Sequence, residues 1–188
     1  MTTMRILLLA PQPFYSDRGT PIAVRLLLES LSKRGHEIDV LTYAEGRNIT
    51  IDRVQIQRIF QPEFTYGIQP GFSWKKIICD FLMAVQAFKL VLSKKYDYLH
   101  AVEESVFIAL VIKLILAVPY VYDMDSSLPQ QLSEKYPWLK PILPLGCFLE
   151  GLVVKNSFMV LTVCESLALL ISQYKPRKVF ILTDIATD

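Results

Sequence analysis

Four short polar segments carry the residue types that could do chemistry in this chain. The first, Arg18-Gly19-Thr20-Pro21, joins a cation, a glycine and a helix start. Gly19 would let the backbone approach a ligand closely, and the first amides of the following helix would face the same place, which suits a phosphate or a sugar hydroxyl. The same residues read equally well as a loop whose glycine serves a turn, because neither a G-x-G-x-x-G nor a Walker pattern accompanies them. His100 closes an apolar run and is followed by Glu103 and Glu104. A histidine at that point is either a structural hydrogen-bonding group or an acid–base group. One of the two glutamates is expected to cap the next helix, where the dipole favours a carboxylate.

Asp123-Met124-Asp125 is the third segment, and its alternate spacing puts both carboxylates on one side of an extended chain. Such a pair can hold a divalent cation, yet Ser126 and Ser127 follow, and capping of a helix is equally natural. The fourth segment, Thr162 to Glu165, again follows an apolar run directly.

Short apolar runs alternate with helical patterns and thereby position these segments. Strands are expected at Arg5 to Ala10, Glu37 to Tyr43, Val54 to Phe60, Tyr98 to Val102, Pro119 to Asp123, Phe158 to Val163 and Lys178 to Leu182. The first helix is expected over Thr20 to Arg34, capped by Thr20, with Pro21 at its first position and Gly35 at its end. Its core stripe is read as Ala23, Leu26, Leu27, Ser30 and Leu31. Further helices are expected over Trp74 to Lys94, Glu104 to Leu116 and Glu165 to Gln173, with a proline-broken helical region over Leu128 to Lys155. This alternation implies an α/β fold: a Rossmann-like, doubly wound, mostly parallel sheet with helices on both faces. In such a sheet ligands bind at the carboxyl ends of the strands, where all four polar segments fall.

Trp74 to Lys94 carries Trp74, Ile77, Ile78, Phe81, Leu82, Val85, Phe88 and Leu92 on one face, with Lys75, Lys76, Lys94 and Lys95 at its ends. That pattern reads as a core helix with solvated lysines. It reads also as an interfacial helix on an anionic membrane, helped by Phe64, Tyr66 and Phe72 just before it.

Of 188 residues, 52% are hydrophobic and 20% charged, which excludes a disordered chain and fits one compact domain. The mean hydropathy of +0.34 fits buried parallel strands together with some apolar surface. A net charge of +2, with cations scattered among nearly as many acids, gives no nucleic-acid signature. Cys79, Cys147 and Cys164 are widely spaced in apolar surroundings and read as buried thiols in a reducing compartment, the cytosol. No signal peptide or membrane-spanning run is recognisable.

In combination, Arg5-Ile6-Leu7-Leu8, Arg18-Gly19-Thr20-Pro21-Ile22-Ala23 and the stretch from Leu31 through Arg34-Gly35-His36-Glu37 to Thr42 resemble the opening of family 4 retaining glycosyltransferases. Tyr96-Asp97-Tyr98-Leu99-His100-Ala101 is similar to that family's Asp-x-x-His segment, and Phe158 to Ser166 resembles its strand and turn bearing a serine or glutamate. The resemblance implies the N-terminal, acceptor-side half of a GT-B enzyme, in which two Rossmann-like domains face each other across a cleft. Residues 1–188 are accordingly expected to form a single domain ending at the interdomain crossing, about 181–188, with the donor-binding domain absent. Two departures stand out. Arg18 replaces the first of two glycines that members often carry, and Asp125 stands where many have a histidine.

The resemblance further implies that Asp125 and His100 are catalytic, and that Arg18, Gly19, Thr20, Asp123, Glu103 and Glu165 bind substrate. No cofactor and no metal are expected, the leaving phosphate of the donor helping to deprotonate the acceptor. The expected function is retaining transfer of a hexose from a nucleotide-diphosphate sugar to an acceptor hydroxyl, lipid-linked at the inner face of a membrane. These residues alone are expected to be inactive. The other reading is a non-catalytic module that pairs with a separate donor-binding chain or docks on a membrane.

Overall fold

The structure, a computed structural model, describes residues 2–68 and 73–183. Phe72 and residues 184–188, the end of the expected crossing, lie outside them. Seven strands form one sheet in the order β3-β2-β1-β4-β5-β6-β7, and the pairs β1–β2, β2–β3, β5–β6 and β6–β7 all run parallel. The fold is Rossmann-like α/β, as the alternation implies. The chain divides into two compact units, Met1–His100 and Ala101–Asp188.

The first unit contains β1 (Arg5–Ala10), α1 (Gly19–Lys33), β2 (Glu37–Thr42), β3 (Val54–Arg58), α2 (Trp74–Ser93) and most of β4 (Tyr98–Val102). Ile6 to Ala10 are fully buried, so both faces of β1 are covered, as its unbroken apolar run requires. β3, with its alternating sequence, is half-buried and lies at the edge of the sheet. α1 ends at Gly35, whose φ of +85° turns the chain, and Gly35 and His36 donate back to Ser32 and Leu31.

The expected cap and core faces of these helices are corrected. Arg18, not Thr20, takes the cap position of α1 and makes no side-chain capping bond, its carbonyl accepting the first helical bond from Ile22, and Pro21 lies at the third position. Its buried face is Pro21, Val24, Leu28 and Ser32, one residue round from the expected stripe, because three consecutive leucines leave the phase of the pattern open. In α2 the core face is Cys79, Met83, Ala87 and Leu90. Trp74, Ile77, Phe81, Val85 and Leu92 are exposed, so the stripe marked in the sequence is not the core stripe.

The second unit contains α3 (Val106–Leu116), β5 (Tyr120–Met124), α4 (Leu128–Lys135), α5 (Leu143–Asn156), β6 (Met159–Thr162), α6 (Glu165–Ser172) and β7 (Val179–Ile181). Neither Glu103 nor Glu104 caps α3. They belong to a 3-10 turn, Glu103–Ser105, in which Ser105 takes the cap position and turns its hydroxyl back to the Val102 carbonyl at 2.7 Å. α4 and α5 pack closely: a Cβ at Gly146 would stand 3.2 Å from the Pro129 ring. Cys79 is buried, but Cys147 and Cys164 are half-exposed, and all three are free. Among the described residues no helix is long and apolar enough to cross a membrane.

Candidate functional site

In the first unit, the loop from β1 to α1 is held by the segment that follows β2. Phe14 and Tyr15 donate their amides to the carbonyls of Glu45 and Arg47 at 3.1 and 3.0 Å, and the Arg47 amide returns to Tyr15 at 2.9 Å. Side chains repeat the contact: Arg47 pairs with Asp17, and the guanidinium groups of Arg25 and Arg47 each lie 5.3 Å from the Tyr15 ring. Behind the segment, Arg58 donates to the carbonyls of Tyr43, Glu45, Gly46 and Arg47 and to Asn48 Oδ1, over 2.8 to 3.3 Å. Burial lowers the pKa of this guanidinium, and four carbonyls satisfy its donors.

This scaffold presents Arg18 and Gly19 at the surface, with Thr20 half-exposed in the first turn of α1. A Cβ at Gly19 would meet no atom within 4 Å, and its φ is not positive. Neither packing nor backbone geometry within the chain therefore calls for glycine there. His100, on β4 of the same unit, is buried.

In the second unit an open pocket of about 410 Å³ lies at the carboxyl ends of β5 and β6. The loop after β5 gives it Asp125, Ser126 and Ser127, and the loop after β6 gives it Cys164 and Ser166. Gln130, Gln131 and Glu134 of α4 and Leu167 and Leu170 of α6 complete the wall. Hydroxyls, amides and carboxylates thus share the lining with apolar surface, and none of these lining residues is cationic. Such a wall matches a neutral polyhydroxyl ligand better than a diphosphate, which calls for arginine, lysine or a metal. Cys164 caps α6, and the Ser166 hydroxyl, 3.1 Å away, with the amides of Leu167 and Ser166 holds its thiol below the usual range.

Behind the pocket sits Glu150, a buried carboxylate in the apolar helix α5. Burial pushes its pKa up, against hydrogen bonds from the Ser127 hydroxyl, the Tyr174 hydroxyl and the Leu128 amide. Oε2 of Glu150 has no partner among the described residues. Ser127 occupies the cap position of α4 but makes no capping bond, because its hydroxyl serves Glu150 instead. The capping role read from the sequence is therefore corrected for Ser127. Tyr122, fully buried, has its hydroxyl pushed well up by burial and then by Glu150, Glu104, Glu103 and Asp125.

Glu103 and Asp125 are thus brought around one tyrosine. Asp123 is half-buried on β5, and Glu165 is exposed at the start of α6; neither lines the pocket. Gln130, Gln131 and Glu150 were not marked in the sequence, while Cys164 and Ser166 fall in the marked strand and turn without having been singled out as site residues. Glu150 alone left a signal, a single carboxylate in the run Leu143-Pro-Leu-Gly-Cys-Phe-Leu-Glu-Gly-Leu-Val-Val, since unpaired acids are rarely buried. Among the described residues no three His, Cys, Asp or Glu side chains gather to hold a metal ion.

No protein-family model and no curated protein sequence matches the chain. Solved structures do. Sucrose-phosphate synthase from Thermosynechococcus elongatus is 17% identical with a TM-score of 0.68, over 96% of this chain and 48% of that one. A shorter chain of the same synthase matches at a TM-score of 0.65 and 14% identity, over 97% of this chain and 90% of that one. UGT2 from Phytolacca americana, complexed with UDP-2fluoro-glucose and pterostilbene, matches at 0.62 and 8% identity, over 99% and 55%. The fold is that of one half of the GT-B glycosyltransferase architecture. The chain spans about half the length of the full synthase and of UGT2.

Proposed function

We propose that this chain is the N-terminal, acceptor-side half of a family 4-like glycosyltransferase that moves a hexose, with retention, from a nucleotide-diphosphate sugar to an acceptor hydroxyl. The observation that carries the reading is the pocket at the ends of β5 and β6, lined by Asp125, three serines and two glutamines without a cation, in a chain with half a GT-B fold. A wall of that kind suits sugar hydroxyls. A complementary donor-binding half, covalently joined or supplied by another chain, would provide the cations for the diphosphate. UGT2, which was solved with UDP-2fluoro-glucose and pterostilbene, has the same fold in its matched half.

Within this reading Asp125 accepts a hydrogen bond from a sugar hydroxyl and orients it, and Glu103, Asp123 and Glu165 line the approach. Arg18 and the first amides of α1 receive the donor phosphate or the acceptor, and Gly19 leaves room for it. His100, buried in the middle of β4, is the further polar group of this reading. The acceptor is lipid-linked. The test uses the complete protein, this half together with its donor-binding half, and follows transfer from labelled nucleotide sugars with the anomeric outcome read by NMR. Gly19→Val and Asp125→Ala should each lower kcat/KM by on the order of 100-fold, in the range of lost transition-state hydrogen bonds and misplaced substrates. Undiminished transfer by the double variant would overturn the assignment, and an inverted product would overturn retention.

A further inference from the structure

α2 is apolar on two opposite sides. One side, Cys79, Met83, Ala87 and Leu90, is buried in the first unit. The other, Trp74, Ile77, Phe81, Val85 and Leu92, repeats at i, i+3, i+4 and is open to solvent, with Phe81 68% and Leu92 70% exposed. At 1.5 Å per residue this second stripe is about 27 Å long. Beside its first turn the exposed Phe64 ring, from the 3-10 turn Glu63–Thr65, stacks on Trp74 at 6.2 Å and 11°, and Tyr66 is also exposed. No requirement of the core explains this stripe, since α2 already buries its other side.

The surrounding charge selects the occupant. α2 carries Lys75, Lys76 and Lys89, and Lys95 lies just beyond its end; Lys89 and Lys95 are exposed. Asp80, the one acid on the helix, bonds the Tyr43 hydroxyl at 2.5 Å. Lys75 reaches back to the Tyr66 carbonyl at 2.8 Å and so ties that residue's backbone to the helix. A second copy laid on this face by two-fold symmetry would set the same lysines against one another. An anionic lipid surface would instead take the lysines among its headgroups and the Trp, Phe and Tyr rings at the acyl boundary, the division such rings and cations favour.

We propose that the outer face of α2, with Phe64, Tyr66, Lys89 and Lys95, is a docking surface for an anionic lipid bilayer. The surface lies wholly within the first unit and is independent of the sugar-transfer reading. It holds the protein on the membrane plane without crossing it.

The test is co-sedimentation of this chain with phosphatidylcholine vesicles and with vesicles containing phosphatidylglycerol, at low and high salt. Binding to the anionic vesicles, weakened by salt, is expected. Phe81→Ser with Lys89→Glu should reduce it by at least roughly tenfold, because both the apolar and the ionic contribution are removed. These side chains are exposed, and circular dichroism should show the variant folded. In a Trp138→Phe background the remaining Trp74 should shift its emission to the blue and be quenched by brominated lipid. Failure to bind anionic vesicles overturns the proposal, and so does binding that the double variant leaves intact. Self-association abolished by Phe81→Ser, without vesicle binding, would overturn it in favour of a second copy. Vesicle binding without any sugar transfer would leave this surface standing and remove only the catalytic reading.

Discussion

Lys94 donates to both carboxylate oxygens of Asp39, at 3.2 and 3.0 Å, and thereby ties the end of α2 to the middle of β2. Asp39 is 3% exposed, and the Tyr96 hydroxyl adds a bond at 2.7 Å and Gln57 another at 3.2 Å. Burial alone would raise its pKa. The Tyr96 and Lys94 hydrogen bonds, with the charges of Lys94 and Arg5, outweigh that and hold it below the ordinary value.

Asp39→Ala should therefore destabilise the chain by about 2 kcal/mol, less than a fully buried pair would lose, because Lys94 can be rehydrated. The native contribution is present above the ordinary aspartate value of 3.8 and is lost as pH falls through the lowered folded value. Urea titrations at pH 7 and pH 3 would measure it. The gap between wild type and variant should be wide at pH 7 and smaller at pH 3, closing further as pH falls.

Glu150 titrates with the opposite sign. Its folded pKa is raised, so the stability it contributes is full below the ordinary value of 4.5 and is lost as pH climbs through the raised one. Glu150→Gln should remove that slope. Thermal unfolding between pH 4.5 and 8 should show the variant gaining on wild type as pH rises, and parallel curves would count against a titrating Glu150.

At Gly19 the expectation is a separation of stability from function. No atom of the chain fills the space a Cβ would take, so Gly19→Ala should move Tm by no more than about 2 °C. A ligand that needs the space would bind Gly19→Val more weakly still. Equal binding by both variants and wild type would remove Gly19 from the site.

Gly46 is the contrasting glycine. Its φ is +121°, and a Cβ there would overlap the backbone of Phe14. Gly46→Ala should cost roughly 2 to 4 kcal/mol, from strained backbone and displaced loop together. Its soluble yield and denaturant midpoint should fall well below those of Gly19→Ala.

The legible part of the molecule is the part set by local pattern. β1 is an unbroken apolar run, and β3 an alternating one; both read as strands, the one covered and the other more exposed. Helix phase was not legible where apolar residues crowd more than one face. In α2 periodicity shows two stripes and gives no means of choosing which meets the sheet, and the smaller residues Cys79 and Ala87 are the ones that fit against it. The strand-end rule located Asp125 and the turn at Cys164. Gln130, Gln131 and Leu170 enter the pocket only through the packing of α4 and α6, a long-range consequence with no local signature.

Arg58 stands on β3, an edge strand of the sheet, while the carbonyls it holds belong to the segment that supports the loop before Gly19. Edge strands open more readily than central ones, and groups that open together exchange their amide hydrogens together. The amides of Phe14, Tyr15 and Arg47 should then share the protection of β3 and exchange as one cooperative group, well ahead of those of β1. The order of the ligand-facing loop is set, on that account, at an edge of the sheet rather than at its centre.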